Sequence, residues 1–313
     1  MPVTDAELAA ELEKSLGRPP LALERRPHAY RTSHATEEVE VRLDASPPLR
    51  LLVKDVSASG LTDSARPVKP PFLHDPLREI EVYAGPLAEE DGPPRSYGAV
   101  VDSGRDRYAL LLELVEGREL WQAGELEAWQ DAARWLAGFH GRHPAPAAGR
   151  LIRWDDAYLR RWLDRAQRFT GSPELAAVAA GYDRVVECLL ALPPVLAHGE
   201  LYASNVLVRD SGAVCAVDWE MAALAPGLVD LAALTTGGWS DAERTTIEDA
   251  YREALDPGLR DPLEAAGFDA ALACCRLQLA LQWLGWSEGW QPPAELEHDW
   301  LAEALEAWER IEA

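Results

Sequence analysis

Between His198 and Glu220 the chain reads HGELYASNVLVRDSGAVCAVDWE, and no other segment narrows the possible folds as much. Two short apolar runs, Val206 to Val208 and Val214 to Val217, flank the turn residues Asp210, Ser211 and Gly212, the pattern of a tight hairpin. His198, Glu200, Asn205 and Asp218 stand at the ends of those runs, so closing the hairpin carries them to one rim. An acid that follows AVCAV and precedes Trp219 is a poor core residue without a partner, which favours metal binding at Asp218. An amide oxygen and a carboxylate on either side of a hairpin are hard-oxygen ligands. They suit Mg²⁺, which takes few protein ligands and fills its shell with phosphate oxygens and water. Glu200, five residues before the amide, can accept a proton from an attacking hydroxyl.

The sequence on either side changes character near residue 115. Thr4 and Glu7 have capping-box spacing, and Leu8, Leu12 and Leu16 recur at helical intervals up to Gly17. EVEVRL (38–43) and LRLLVK (49–54) alternate around a Ser-Pro-Pro turn and predict a hairpin. A proline-broken stretch follows, then a short helix over 77–84 and a second hairpin, Tyr97 to Val101 with Tyr108 to Leu112. Beyond ELVEG (113–117) long helical periodicities dominate: Leu126, Trp129, Ala133, Leu136 and His140; then Tyr158, Trp162 and Ala166; then Leu175, Val178, Val185 and Leu189. Helices resume near Asp241, Asp269 and Ala294. The expected fold is α+β in two lobes: residues 1–115 as a small antiparallel sheet with an inserted helix, and 116–313 as a mainly helical lobe holding the hairpin.

The 198–220 segment resembles the catalytic core of the aminoglycoside phosphotransferase and choline kinase-like family, relatives of the protein kinases. That family carries an HGDxxxxN-type loop and, after a short hairpin, a [VI]DW-type metal motif. The spacing of base and metal-binding Asn in kinases matches Glu200 and Asn205. The resemblance spans residues 30 to 235 and implies a protein-kinase-like fold and ATP or GTP with Mg²⁺ as cofactors. By the same resemblance Asn205 and Asp218 hold the metal, Glu200 fills the base position, and Asp230 in GLVDLA braces the loop. In the first lobe it places Lys54 on the α- and β-phosphates with Glu79 as its ion-pair partner. It also puts the backbone of Glu113 and Val115 against the purine. For His198 a ring held by hydrogen bonds to shape the loop is favoured over acid–base chemistry, and Glu79 in its charged helix is nearly as well read as a surface residue.

Two positions depart from the family pattern. Glu200 stands where Asp is usual, one methylene longer. No GxGxxG precedes Lys54, so the phosphate-covering turn falls to Ser33, His34, Ala35 and Thr36, whose backbone N–H groups and hydroxyls can cradle phosphate without glycine. The expected activity is transfer of a γ-phosphoryl group to the hydroxyl of a small molecule; the alternative is a nucleotide-binding pseudokinase whose Glu200 marks lost catalysis.

A formal charge of −23 argues against nucleic acid as partner, since phosphate binding needs a basic face. Of the 30 basic residues only Lys14, Lys54 and Lys69 are lysines, which makes Lys54 at a strand end a rare choice. No window is long and apolar enough to span a bilayer. Cys188, Cys215, Cys274 and Cys275 show no metal-ligand spacing and read as buried thiols of a cytoplasmic protein. Trp283, Trp286 and Trp290 fall at helical spacing, with Trp300 and Trp308 beyond and Glu288, Glu295 and Asp299 nearby. They either pack the helical lobe or form the acceptor site for an amine-bearing or sugar-like substrate.

Overall fold

Thr4 opens the first helix as its spacing predicts. In α1 (Asp5–Leu16) the Glu7 N–H donates to the Thr4 hydroxyl at 3.3 Å, and the Thr4 N–H donates back to the Glu7 carboxylate at 2.8 Å. Gly17, at φ 70°, ends the helix in the left-handed conformation that glycine adopts without steric cost. The computed structural model describes residues 3–28, 33–44, 46–145, 149–289 and 298–312, and the chain separates into two compact units, Met1–Gly117 and Arg118–Ala313.

The first unit is a five-stranded antiparallel sheet of β1 (Ala22–Pro27), β2 (Thr36–Arg42), β3 (Leu49–Asp55), β4 (Ser96–Asp102) and β5 (Arg107–Glu113), in the order β1-β2-β3-β5-β4. Leu8 and Leu12 of α1 are buried against Val39, Val41, Leu51, Val53 and Leu111 on one sheet face. Because strand side chains alternate, Arg50, Leu52 and Lys54 of β3 go to the opposite face. There α2 (Arg78–Ala84) supplies Glu79. Strand β1 is absent from the sequence-based expectation. It lies at the sheet edge, where its Pro27 is tolerated, and ion pairs tie it to β2: Arg26 with Glu38 directly opposite, and Arg25 with Glu37 diagonally.

The Thr4 cap has a measurable worth. Thr4→Ala should lower unfolding stability by about 1 kcal/mol in a urea titration. The Thr4 N–H and hydroxyl, and then Arg107, hold the Glu7 carboxyl down from 4.5 to about 2. A lowered folded pKa means that Glu7 adds stability above pH 4.5 and loses it as the pH falls toward 2. Thr4→Ala should therefore also flatten the acid limb of stability against pH in that window.

In the second unit the expected helices are α4 (Leu126–Arg142), α5 (Asp156–Thr170), α6 (Leu175–Ala191), α8 (Asp241–Ala254) and α10 (Phe268–Leu284). The structure adds α3 (Leu120–Ala123), α7 (Leu228–Leu234) and α9 (Pro257–Ala265). Ala294 lies outside the described residues, and α11 (Trp300–Glu312) follows it. Helix α10 is buried on every side from Ala271 to Gln282 and so forms the centre of this unit, as an all-round apolar helix must. Two small sheets lie among the helices. One has the order β10-β9-β6, from β6 (Arg118–Glu119), β9 (Val206–Val208) and β10 (Val214–Ala216); the other is β7-β11-β8, from β7 (Ile152–Arg153), β8 (Pro194–Ala197) and β11 (Ala223–Pro226). No described helix is long and apolar enough to cross a membrane. All four cysteines are free thiols; Cys188 is half-buried, not buried as expected, because on α6 it flanks the face that buries Val185, Val186 and Leu189.

Candidate active site

In the first unit the structure brings Lys54 and Glu79 together. Lys54 Nζ lies 2.7 Å from Glu79 Oε2, and the two side chains are only 7% and 3% exposed. Taking a lysine and a glutamate out of water costs several kcal/mol each unless they pair, so each residue explains the burial of the other. Thr36 is not part of a turn: it is the first residue of β2 and lies directly across from Lys54. Its β-branched side chain simply continues the strand. The segment before it is tied down from one side, because the Ala35 N–H donates to the Gly60 carbonyl, the Ser33 carbonyl accepts the Thr62 N–H, and buried His34 meets the Asp55 carbonyl through Nδ1 at 2.8 Å. Glu113 ends β5, its N–H donating to the Arg95 carbonyl at 2.8 Å, and Val115 follows in the irregular stretch before Gly117.

In the second unit β8 delivers the chain into the loop that starts at His198. Gly199 has φ 86°, and a Cβ there would stand 2.2 Å from the Met221 carbonyl oxygen, so only glycine fits. Asp230 of α7, fully buried, accepts the His198 N–H at 2.7 Å and the Gly199 N–H at 2.8 Å. His198 itself is buried with both ring nitrogens on backbone groups. Nε2 donates to the Val217 carbonyl at 2.9 Å, which leaves Nδ1 to accept from the Glu200 N–H at 3.3 Å. The ring thus spans from the loop to the hairpin.

The hairpin sets the two oxygen donors side by side. Val206 pairs with Ala216, and one rung further the Val217 N–H donates to the Asn205 carbonyl at 2.9 Å. Asn205 therefore stands across from the residue that precedes Asp218. Its Nδ2 donates to the Glu200 carbonyl at 2.9 Å, which fixes the amide and turns its oxygen away from that carbonyl. Asp218 has left-handed backbone at φ 65° and ψ 66°, a conformation costing on the order of 1–3 kcal/mol for a non-glycine residue and concentrated at functional sites. Amide and carboxylate oxygens on neighbouring rungs, with strained backbone at the acid, form a donor set that fits Mg²⁺. No group of three or more His, Cys, Asp or Glu suited to a metal occurs among the described residues, so the site does not resemble a zinc or calcium cage.

Three residues escape the sequence reading. His140 and Tyr251 join Asp230 behind the loop. Tyr202, two residues after Glu200, accepts a hydrogen bond from Trp283 Nε1 and has the rings of Trp283 and Trp300 at 5.6 and 6.4 Å. Burial pushes the Tyr202 hydroxyl up, so it stays a neutral phenol. Trp283 stacks on Trp300 at 5.1 Å, and Trp286 stacks on Trp162 at 6.2 Å. Trp308 instead is buried beside Gly181 and Arg184, a packing residue. Trp290 and Glu295 lie outside the described residues; Glu288 and Asp299 are exposed, and Asp299 caps α11 through the Ala302 N–H. The nearer acid is Glu303, which the hydrogen bond from His298 holds below its usual range.

Several solved structures share this architecture. A choline kinase from Cryptosporidium parvum Iowa II superposes with a TM-score of 0.56 at 14% identity, covering 92% of this chain and 88% of its own. Choline kinase LicA from Streptococcus pneumoniae gives 0.55 at 13% identity over 99% of both chains, and a structure of LicA in complex with AMP gives 0.56 at 13% over the same shares. A choline/ethanolamine kinase family protein from Mesorhizobium loti gives 0.54 at 15%, covering 98% of this chain and 93% of its own. At these identities the likeness is one of fold. No curated protein matches the sequence. Residues 77–268, more than half of the chain, match the family described as Phosphotransferase enzyme family (APH), and the protein belongs to that family.

Proposed function

We propose that the protein is an Mg²⁺-dependent small-molecule O-phosphotransferase that moves the γ-phosphoryl group of ATP or GTP to a substrate hydroxyl. The observation that carries this reading is the hairpin rung that sets Asn205 beside a strained Asp218, with Glu200 on the same loop held from behind by Asp230. Asn205 and Asp218 would hold Mg²⁺, which when bound offsets phosphate charge. Lys54, fixed by Glu79, meets the α- and β-phosphates, and the backbone of Glu113 and Val115 meets the purine. Family membership and the AMP held by a structural relative support a nucleotide donor. The acceptor oxygen attacks the γ-phosphorus, the bond from that phosphorus to the β–γ bridging oxygen breaks, and the acceptor proton passes to Glu200. Positioning and electrostatics supply most of the rate.

The acceptor on this reading is an amine-bearing alcohol. Tyr202 stands two residues from Glu200, and around it the faces of Trp283 and Trp300 can hold a cation, with Glu303 adding negative charge. Free thiols suit a reducing cytoplasm.

Glu200 itself favours a second reading, since the longer side chain in the base position is also what a nucleotide-binding pseudokinase would carry. A Glu200 series separates the two. If glutamate is the working base, Glu200→Gln lowers kcat by roughly 10²–10⁴-fold with nucleotide affinity kept, and Glu200→Asp lowers it by up to about 10²-fold through a misplacement of about 1 Å. Gain of activity in Glu200→Asp over an inert parent supports the pseudokinase.

A further inference from the structure

Behind the loop that carries Glu200 lies a chain of buried polar groups with no solvent contact. Asp230 Oδ2, which already accepts the His198 N–H, also lies 3.2 Å from His140 Nε2 of α4. A carboxylate only accepts, so Nε2 carries the imidazole proton and Nδ1 presents its lone pair. The partner of Nδ1, at 2.8 Å, is the Tyr251 hydroxyl of α8. Burial pushes that hydroxyl far above its usual range, so it keeps its proton and donates. The order is fixed from end to end: Tyr251 O–H to His140, His140 N–H to Asp230, and Asp230 to the amides of His198 and Gly199.

Gly227 shows that space is reserved for the pair. It has helical backbone, φ −59° and ψ −23°, which any residue adopts, so backbone freedom does not explain the glycine. A Cβ there would stand 2.6 Å from His140 Nδ1 and 3.0 Å from the Tyr251 oxygen. Alanine at this position must displace one or both.

We propose that His140 and Tyr251 are positioning residues of the transfer step: through Asp230 they fix the amides of His198 and Gly199, and with them the place of the Glu200 carboxylate. The inference rests on the proposed phosphotransferase reading. Lone buried groups on α4 and α8 would only pack those helices, but here Tyr251 of α8 and His140 of α4 lead in series to the α7 carboxylate that holds the loop directly. Losing a buried hydrogen bond of this kind leaves Asp230 freer to turn, and the loop follows.

Two variants test this without removing a charged group. Tyr251→Phe deletes only the hydroxyl, and Gly227→Ala crowds the pair while every polar group stays in place. Each should lower kcat by roughly 2–10-fold with the KM for ATP unchanged. Each should also speed hydrogen exchange at the His198 and Gly199 amides, and the double variant should fall little below either single one. His140→Gln, which keeps an N–H for Asp230, should retain more activity than His140→Leu. Unchanged kcat in folded Tyr251→Phe and Gly227→Ala overturns the inference. So does a fall in both melting temperature and kcat with exchange at the two amides unaltered, the signature of packing alone. An unaltered parent that transfers no phosphoryl group overturns the proposed function, and this inference with it, whereas a turning-over parent with silent variants overturns this inference alone.

Discussion

Asp218→Ala should abolish phosphoryl transfer, lowering kcat by at least about 10³-fold, while the protein stays folded. Asp218 is half-buried at a hairpin end and not in the apolar core, so its loss opens no cavity. The left-handed backbone complicates alanine, which dislikes φ 65°, and Asp218→Asn separates the two effects. Asparagine tolerates that conformation, has the same shape and lacks the charge. It should match the parent in thermal midpoint and resemble Asp218→Ala in turnover. Full activity in Asp218→Asn would remove the carboxylate from the metal role.

The second large effect belongs to the buried pair in the first unit. Lys54→Met removes the ammonium group that pairs with buried Glu79, and Glu79→Gln removes the carboxylate charge that pairs with Lys54. Breaking a buried pair from one side costs about 3–5 kcal/mol, whereas the double replacement removes both charges and should recover much of that loss. Activity should not follow stability. The double variant, though refolded, still lacks the ammonium group and should remain deficient in kcat/KM for the nucleotide. Urea unfolding and steady-state kinetics on the three variants give both halves of the comparison. Recovery of activity together with stability would make the pair purely structural.

The local signals were legible in the chain. The Thr4 and Glu7 spacing, the alternation of β2 and β3, and the hairpin with its polar ends each depend on residues a few positions apart, where periodicity and turn chemistry act. Lys54 stood out because lysine is scarce, and the family pattern linked it to Glu79 across 25 residues. What could not be read are the contacts that tertiary packing alone creates. His140 on an apolar helix face looks like a core residue; its partners lie 90 and 111 residues away, and nothing local marks them. Strand β1 is hidden in the sequence for a different reason, since the charges that hold it to β2 look like a solvated face without their partners. The tryptophans divide for the same cause: helical spacing is shared by Trp308, which packs against Gly181, and by Trp283, which stacks near Tyr202. Thr36 looks like a turn residue in the sequence because its strand partner, Lys54, is 18 positions on.

Transfer of label from γ-labelled ATP and GTP to a pooled panel of hydroxyl-bearing amines, sugars and aminoglycosides is the most direct measurement. Labelled small-molecule product that requires Mg²⁺, is richest among the amine-bearing alcohols and vanishes in Asp218→Asn is the predicted result. Binding of the magnesium nucleotide with no label in any acceptor would contradict it and leave the protein a nucleotide-binding pseudokinase.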